Sequence, residues 1–453
     1  MLTEDTLLEV FDFYRLDAIK QSRGHPWRWH RLAQVCRKWR YLIARSPHRL
    51  GLQILCGSGA PIESILDFWP TFPLVVRYKE GPESKSLHNN IMVALRRTRR
   101  VSEIDLILTS STTVSIVEAI QEPFQALECI RITVEDATGP PLLIANTFLG
   151  GFAPHLKEIK LDGISFSFPE IQKVLLSTNN LVELHLANIP NDVYVSPGDL
   201  VTVLTTLVQL KGLTVGFHSI ASHSHPSMTR PPTQRTTLHS LTVFHFHGSS
   251  EYLEEFVARV HFPALCKITI RLFNDIFYEI SRLCQFIPRL NTLGSPTRVL
   301  ITHSVESVGV FFSQEGKSSD ESLLLETSCM RLDWQMSFVT QISSQLSPFL
   351  SSVRTLGIQG VHELPTGEED VGATQWLELL QPFTHVTRLN VFEKQLVPGV
   401  VQALVAEDMA PEVLPELSTL HLIGSRSNPS VVKAVEQFIA TRRLSGRTVL
   451  LTS

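Results

Sequence analysis

The sequence predicts an α/β fold in which short parallel strands stack side by side with helices behind them, preceded by a small helical module. Three observations predict it. The first is a spaced apolar hexad, L-x-x-L-x-L, with Leu, Ile or Val at all three apolar places. Ten copies start at Val101, Leu127, Leu156, Leu181, Leu210, Leu238, Leu265, Val353, Val386 and Leu417. The second is its period: successive starts lie 26, 29, 25, 29, 28 and 27 residues apart, then 88, 33 and 31. The third is the helical spacing of apolar residues between hexads, as at Ile171, Val174 and Leu175.

The N-terminal module spans residues 1–50. Its first block, Leu2 to Tyr14, opens on Thr3, which can cap a helix, followed by Glu4 and Asp5 at the positive end of the helix dipole. Leu7, Leu8, Phe11 and Tyr14 give it an apolar face. In the second block Leu32, Val35, Cys36, Trp39, Leu42 and Ile43 share one face, and Ser46-Pro47 stops it. Two such helices make a poor core alone, so a partner face is physically plausible.

Residues 51–100 form a transition with the first degenerate repeats, and residues 101–425 carry the repeats proper. In Pro154-His155-Leu156-Lys157-Glu158-Ile159-Lys160-Leu161 the proline ends the preceding helical segment, and Ile159 and Leu161 then alternate with polar residues as a short strand. Pro263, Pro288 and Pro415 stand at the same offset. The stretches Phe168 to Leu176 and Leu200 to Leu210 are expected helices. A strand and a helix in under 30 residues, repeated, is the pattern of a leucine-rich-repeat solenoid.

The period fails between Leu265 and Val353, a gap with room for about three repeats. Arg298 to His303 and Leu323 to Leu325 are candidate strands there. Ser222 to Thr237, Ser313 to Ser322 and His362 to Thr374 read as polar loops. Residues 426–453 close the array with a capping helix carrying Val431, Val432, Val435, Phe438 and Ile439, with Asn428 as a cap and Pro429 at its first position.

Residues between the apolar places of each hexad point away from the core, because side chains alternate along a strand. They form a ladder: Glu103 and Asp105, Arg131, Glu158 and Lys160, Glu183 and His185, Thr214, Thr242, Lys267, Thr269 and Arg271, Arg388 and Asn390, Thr419 and His421. Its first end is acidic and its later part more basic, which suits a protein or peptide partner; the alternative is plain solvated strand surface.

Hydrophobic residues make up 43% of the 453, enough for a continuous core. Charge is balanced, 40 basic against 44 acidic residues, so nothing global suggests nucleic acid or an anionic membrane. The basic runs at Arg96, Arg97, Arg99 and Arg100 and at Arg37, Lys38 and Arg40 read as a solvated helix face or a helix C-terminus. Six cysteines without a C-x-x-C pair fit reduced core thiols. With no signal-like N-terminus and no span of roughly 18 apolar residues, the expectation is a soluble protein of the cytoplasm or nucleus.

The run Leu2-Thr3-Glu4-Asp5-Thr6-Leu7-Leu8-Glu9-Val10-Phe11, followed by Leu32-Ala33-Gln34-Val35-Cys36-Arg37-Lys38-Trp39, resembles an F-box. The flank Leu50 to Ile62, with Trp69-Pro70 and Phe72-Pro73, is similar to fungal F-box/leucine-rich-repeat proteins. The resemblance implies the substrate-recognition subunit of a Skp–cullin–F-box ubiquitin ligase, with no cofactor and with catalysis left to partners. Leu2, Leu7, Leu8, Phe11, Leu32, Val35, Cys36, Trp39 and Leu42 would then contact or support a Skp-type adaptor, and the ladder would meet a protein substrate. The chain departs from the family pattern in its Leu2-Thr3 opening, usually Leu-Pro, and in the long connection Asp17 to His30 with Trp27 and Trp29. Those departures motivate the alternative of an interaction scaffold that recruits no cullin.

Sequence motifs for catalysis are wanting. Gly316-Lys317-Ser318 lacks the glycine a phosphate loop needs at position 311, which is Phe. His362-Glu363 is followed by Leu-Pro-Thr rather than a second histidine, and no G-x-S-x-G elbow exists. His245 and His247 fall on one face of an expected strand, but with no nearby carboxylate or cysteine they read as surface or stacking histidines.

Overall fold

The computed structural model of the chain describes residues 2–21, 30–57, 62–79, 84–135, 143–144, 147–190, 193, 195–219, 235–273, 280–290, 292–316, 322–360, 371–405, 413–423 and 429–452. It is a mixed α/β structure whose strands are mostly parallel. It divides into two compact units, residues Met1–Val195 with Thr202–Leu210, and Ser196–Val201 with Lys211–Ser453.

The first unit begins with three helices, α1 (Glu4–Gln21), α2 (His30–Val35) and α3 (Arg37–Arg45). Thr3 caps α1 as its position suggests, its Oγ1 accepting from the Thr6 amide at 3.2 Å. The second block is not one helix. Cys36 is extended (φ −158°, ψ 168°) and starts α3 as its N-cap, so the shared apolar face breaks there and Val35 turns to solvent, 59% exposed. The Arg40 guanidinium donates to the Ala33 carbonyl at 3.0 Å, satisfying a carbonyl that the short α2 leaves open.

Then follow β1 (Ile54–Leu55), α4 (Glu63–Phe68), β2 (Leu74–Lys79), α5 (Ser84–Leu95), β3 (Val101–Leu108), α6 (Ser110–Ala119), β4 (Cys129–Val134), β5 (Leu143–Ile144), β6 (Glu158–Asp162), β7 (Ser165–Phe166), α7 (Phe168–Ser177) and β8 (Glu183–Ile189). The unit's main sheet runs β1-β2-β3-β4-β6-β8, every neighbour parallel, and β5 pairs with β7 apart from it. The hexads set its register: Ile104, Ile130, Ile159 and Leu184 stand side by side and are all buried. Behind the strands α7 buries Phe168, Ile171, Val174 and Leu175, the face its spacing foretold. Of the basic run, Arg100 closes the end of α4, donating to the carbonyls of Leu66 (3.3 Å), Trp69 (2.5 Å) and Phe72 (3.1 Å). The expected helix over Leu200 to Leu210 is α8 (Pro197–Leu204); it starts on the proline and ends earlier, in turns that still bury Leu207 and Leu210.

The second unit comprises β9 (Gly212–Phe217), β10 (Thr236–Thr237), β11 (Val243–Gly248), α9 (Ser250–Arg259), β12 (Val260–His261), β13 (Lys267–Leu272), α10 (Ser281–Phe286), β14 (Arg298–His303), β15 (Ser307–Ser313) and β16 (Ser322–Ser328). It continues with α11 (Leu332–Gln345), α12 (Ser347–Leu350), β17 (Thr355–Gly360), α13 (Ala373–Leu380), β18 (Arg388–Val391), α14 (Val397–Val405), β19 (Thr419–Leu422), α15 (Pro429–Leu444) and β20 (Leu450–Thr452). Its sheet runs β9-β11-β13-β16-β15-β14-β17-β18-β19-β20, and β10 pairs with β12 separately.

Two expectations are corrected here. The hexad at Leu238 is displaced by three residues. Leu213 of β9 and Ile268 of β13 both stand opposite Phe244, so the buried places are Leu241, Phe244 and Phe246. Phenylalanines hold them because this part of the core is aromatic: Phe244 lies 5.5 Å from Phe256 and 5.7 Å from Phe262, and Phe217 lies 4.7 Å from Tyr252. Nor is the gap after Leu265 filled by strand–helix repeats on parallel strands. Its three strands form an antiparallel meander, β14 pairing with β15 and β15 with β16. Only three residues join β14 to β15, too few for the crossover that parallel neighbours need. The ends of the meander rejoin the parallel array, β16 beside β13 and β14 beside β17.

Beneath the meander His303 is buried, its Nδ1 3.0 Å from Gln335 Oε1, while Gln335 Nε2 donates to the carbonyls of Ser304 (2.8 Å) and Cys329 (2.7 Å). Glu254, also buried, accepts from the Arg282 and Leu283 amides at 2.8 and 2.7 Å and so caps α10. The closing helix is present as α15, and β20 adds one further parallel strand to β19. Asn428, Trp27, Trp29, Lys317 and most of the three expected polar loops lie outside the described residues; Ser313 and Ser322, at the margins of one loop, belong to strands.

Candidate functional site

The nine residues matched to an adaptor interface divide sharply. Leu7, Leu8, Phe11, Leu32 and Leu42 are buried within the chain. Trp39 is half-buried and meets Phe11 edge-on, ring centroids 4.8 Å apart. Leu2, Val35 and Cys36 are exposed. Two residues that the spacing argument passed over are exposed as well: Val10 (45%) and Phe13 (76%). They are three apart on α1, flanking the face that carries Leu7 and Phe11. An i, i+3 apolar pair beside the obvious face was the available signal. Asp5 anchors α1 to the turn after α3 through Arg49 at 2.9 Å.

In the first unit the strand residues that face away from the core are brought together as expected, and they pair with one another. Glu103 receives Arg77 at 3.0 Å and Arg131 at 3.5 Å. Arg131 then grips Glu158 with two nitrogens, each at 2.5 Å. Arg131 holds the Glu158 carboxyl below its ordinary range. Burial, reinforced by the Glu158 charge, pushes the neighbouring Cys129 thiol up to about 12. Lys160 and Asn188 both meet Asp162, at 3.9 and 2.7 Å. His185 stands beside Lys160 on the next strand, and burial, then Lys160, lowers its pKa. Asp105 stands opposite Arg77 and Arg131, and Glu183 opposite Glu158. The acidic end anticipated from the sequence is therefore an alternating ladder. Arg77, from a strand without a full hexad, supplies the missing positive charge.

The equivalent surface of the second unit differs. The corrected register puts His245, not Thr242, in line with Thr214 and Thr269, and His247 in line with Arg271. Burial, then Arg271, lowers the His247 pKa, and its ring meets Phe273 at 4.8 Å. Arg271 pairs with Glu326 at 2.9 Å. Across the meander the same row is apolar: Leu324 stands opposite Phe311 and Phe311 opposite Leu300. Beyond it Asn390 neighbours His421, whose Nδ1 is 3.1 Å from Thr452 Oγ1. Lys267 and Arg388 take outward places at the strand starts, joined by Arg298 from the meander. Sequence reasoning missed Leu300, Phe311, Leu324 and Arg298 as surface residues because no hexad frames them.

Among the described residues no group of three or more His, Cys, Asp or Glu is placed to hold a metal ion, and no helix is long and apolar enough to cross a membrane. All six cysteines are free thiols. The arrangement offers two surfaces for macromolecular contact: apolar side chains exposed on the helical module, and the outward face of each sheet. Scans against protein-family models and against curated proteins return no match.

Proposed function

We propose that this chain is the substrate-recognition subunit of a Skp–cullin–F-box type ubiquitin ligase. Residues 1–50 act as the F-box and bind a Skp-type adaptor, and through it a cullin. The strands of residues 101–425 act as a leucine-rich-repeat solenoid whose outward face binds a protein substrate, with α15 and β20 as its cap. The chain itself carries out no reaction. It holds substrate lysines near a conjugating enzyme elsewhere in the complex, turning a bimolecular encounter into an effectively intramolecular one. The cytoplasm or nucleus is where such a complex works.

The observation that carries this reading is the exposed apolar surface of the small helical module, Leu2, Val10, Phe13 and Val35, which in water favours a partner. The test is co-purification of the full chain with a Skp-type adaptor and its cullin. Phe13→Ser and Val35→Ser should each weaken adaptor capture at least tenfold without lowering the melting temperature. Trp39→Ala should cost more than about 2 kcal/mol of adaptor affinity; because Trp39 packs on Phe11, this variant should also lower thermal stability. Reversing Lys267 should alter substrate choice and leave adaptor capture intact. A second reading is a scaffold that recruits no cullin. The inward burial of five of the nine family-matched residues favours it. A folded chain that captures no adaptor at micromolar concentrations would favour it over the ligase reading.

A further inference from the structure

The meander β14–β15–β16 carries an outward surface unlike the rest of the second unit. Leu324, Phe311 and Leu300 are directly adjacent across three strands, and all three are half-buried rather than covered. Their inward neighbours Leu325, Val310 and Ile301 already fill the core, so the outward three are not needed there. Glycines extend the surface sideways. A Cβ at Gly357 would lie 2.8 Å from Leu300 Cδ1 and 3.7 Å from the Phe392 ring, so Leu300 and Phe392 lean over that position from both sides. A Cβ at Gly309 would lie 3.4 Å from Leu324 Cδ1. Phe392 is 39% exposed and prolongs the apolar strip.

Along one edge of the strip, at the outward place two residues away, stand Lys267, Arg298 and Arg388. Among the described residues none of the three has an ion-pair partner, while Arg271 and Arg354 nearby are paired with Glu326 and Glu416. Strands lie about 4.8 Å apart, which puts Lys267 about 14 Å from Arg298, and Arg298 about 10 Å from Arg388. An extended chain advances about 3.3 Å per residue, so carboxylates three to four residues apart would meet successive cations.

The geometry points to this strip as the docking site for an extended acidic segment of a partner protein, with an aliphatic or aromatic side chain of that segment seated on Leu300, Phe311 and Leu324 and its carboxylates on the cationic edge. This rests on the substrate-receptor reading and adds the chemistry of what is received. A protein segment fits better than a nucleic acid, because Leu300 and Leu324 flank Phe311 on both neighbouring strands with branched aliphatic surface on which a run of bases does not stack.

The test is selection of a random-sequence peptide library on the full chain, followed by titration of the enriched peptides at low and high salt. Enriched sequences should combine Asp or Glu with Leu, Phe or Trp. Their binding should fall at least tenfold with Arg298→Glu/Arg388→Glu, and separately with Phe311→Thr. The charge-reversed variant alters only exposed side chains, so it stays informative if Phe311→Thr folds poorly. Peptides without acidic residues, peptides indifferent to both variants, no enrichment at all, or tight binding of an oligo(dT) probe to the same residues would each overturn the assignment. Adaptor capture measured on the same variants separates the two ideas: it should be unchanged, and its loss in the unsubstituted chain would refute the ligase reading alone.

Discussion

The two units present the same kind of strand row to solvent and stabilise it by opposite means. In the first unit Arg77, Glu103, Arg131 and Glu158 alternate in sign and satisfy one another across four strands. In the second, the middle of the row is Leu324, Phe311 and Leu300, and three cations beside it have no ion-pair partner among the described residues. A surface whose charges are already matched gains little by meeting a partner, since each new contact must replace an existing one. A surface with spare cations beside half-buried apolar side chains gains both Coulomb and hydrophobic free energy on binding. The first row is therefore best suited to holding strands together and the second to recognition. Charge content alone misleads about where binding free energy is available.

The contrast can be broken in several ways, and the largest effect is with pH. His303 lies under the meander with its pKa lowered by burial from 6.5 to about 4, so it stays neutral in the fold. Between those values the unfolded chain binds the proton and the folded chain does not, so stability is full above pH 6.5 and falls as pH drops towards 4. The expected loss is roughly 3 kcal/mol. Hydrogen exchange resolved by region should show it in the second unit, and His303→Gln should flatten it. The Glu158 carboxyl shifts the other way, held low by Arg131; its contribution is present above pH 4.5 and lost only below that, as the carboxylate protonates in the fold.

Next comes the ladder itself. Arg131→Met should cost the first unit about 1–2 kcal/mol, because Glu103 and Glu158 lose their shared cation. The low end is expected, since the Arg131 side chain is 35% exposed and partly screened. Thermal melts at neutral pH would measure it; an unchanged melting temperature would mean the ladder is ornamental. Phe311→Thr should cost less than about 1 kcal/mol of stability, because an outward strand place accepts a β-branched residue. A larger loss would make Phe311 a core residue and remove it from the proposed docking strip. The smallest effect is that of salt: raising ionic strength to about 1 M should weaken the ladder by a few tenths of a kcal/mol and leave the apolar strip intact.

Much of this was legible in the chain. The hexads found strands because leucine, isoleucine and valine at alternating places bury one face of a strand wherever it pairs. The slip at Leu238 has a specific cause. Leu238, Leu241 and Val243 satisfy the hexad three residues too early, and Phe244 and Phe246 are excluded when only Leu, Ile and Val are counted. Cys36 could not be read as a break, since each half of its block continues the same helical spacing. In the candidate site, Glu103, Arg131 and Glu158 were found because hexads frame them. Arg77, Phe13 and Phe311 were not, because their importance lies in what stands beside them.

The sequence by itself determined most of the buried places and, outside the meander, the alternation of strands with helices, because both follow from local apolar periodicity. Only the tertiary structure decided the direction of β15, the partners of the outward charges and the exposure of Val10, Phe13 and Val35. Those depend on which distant segments become neighbours, and a one-dimensional pattern records the spacing of side chains along the chain but not across strands.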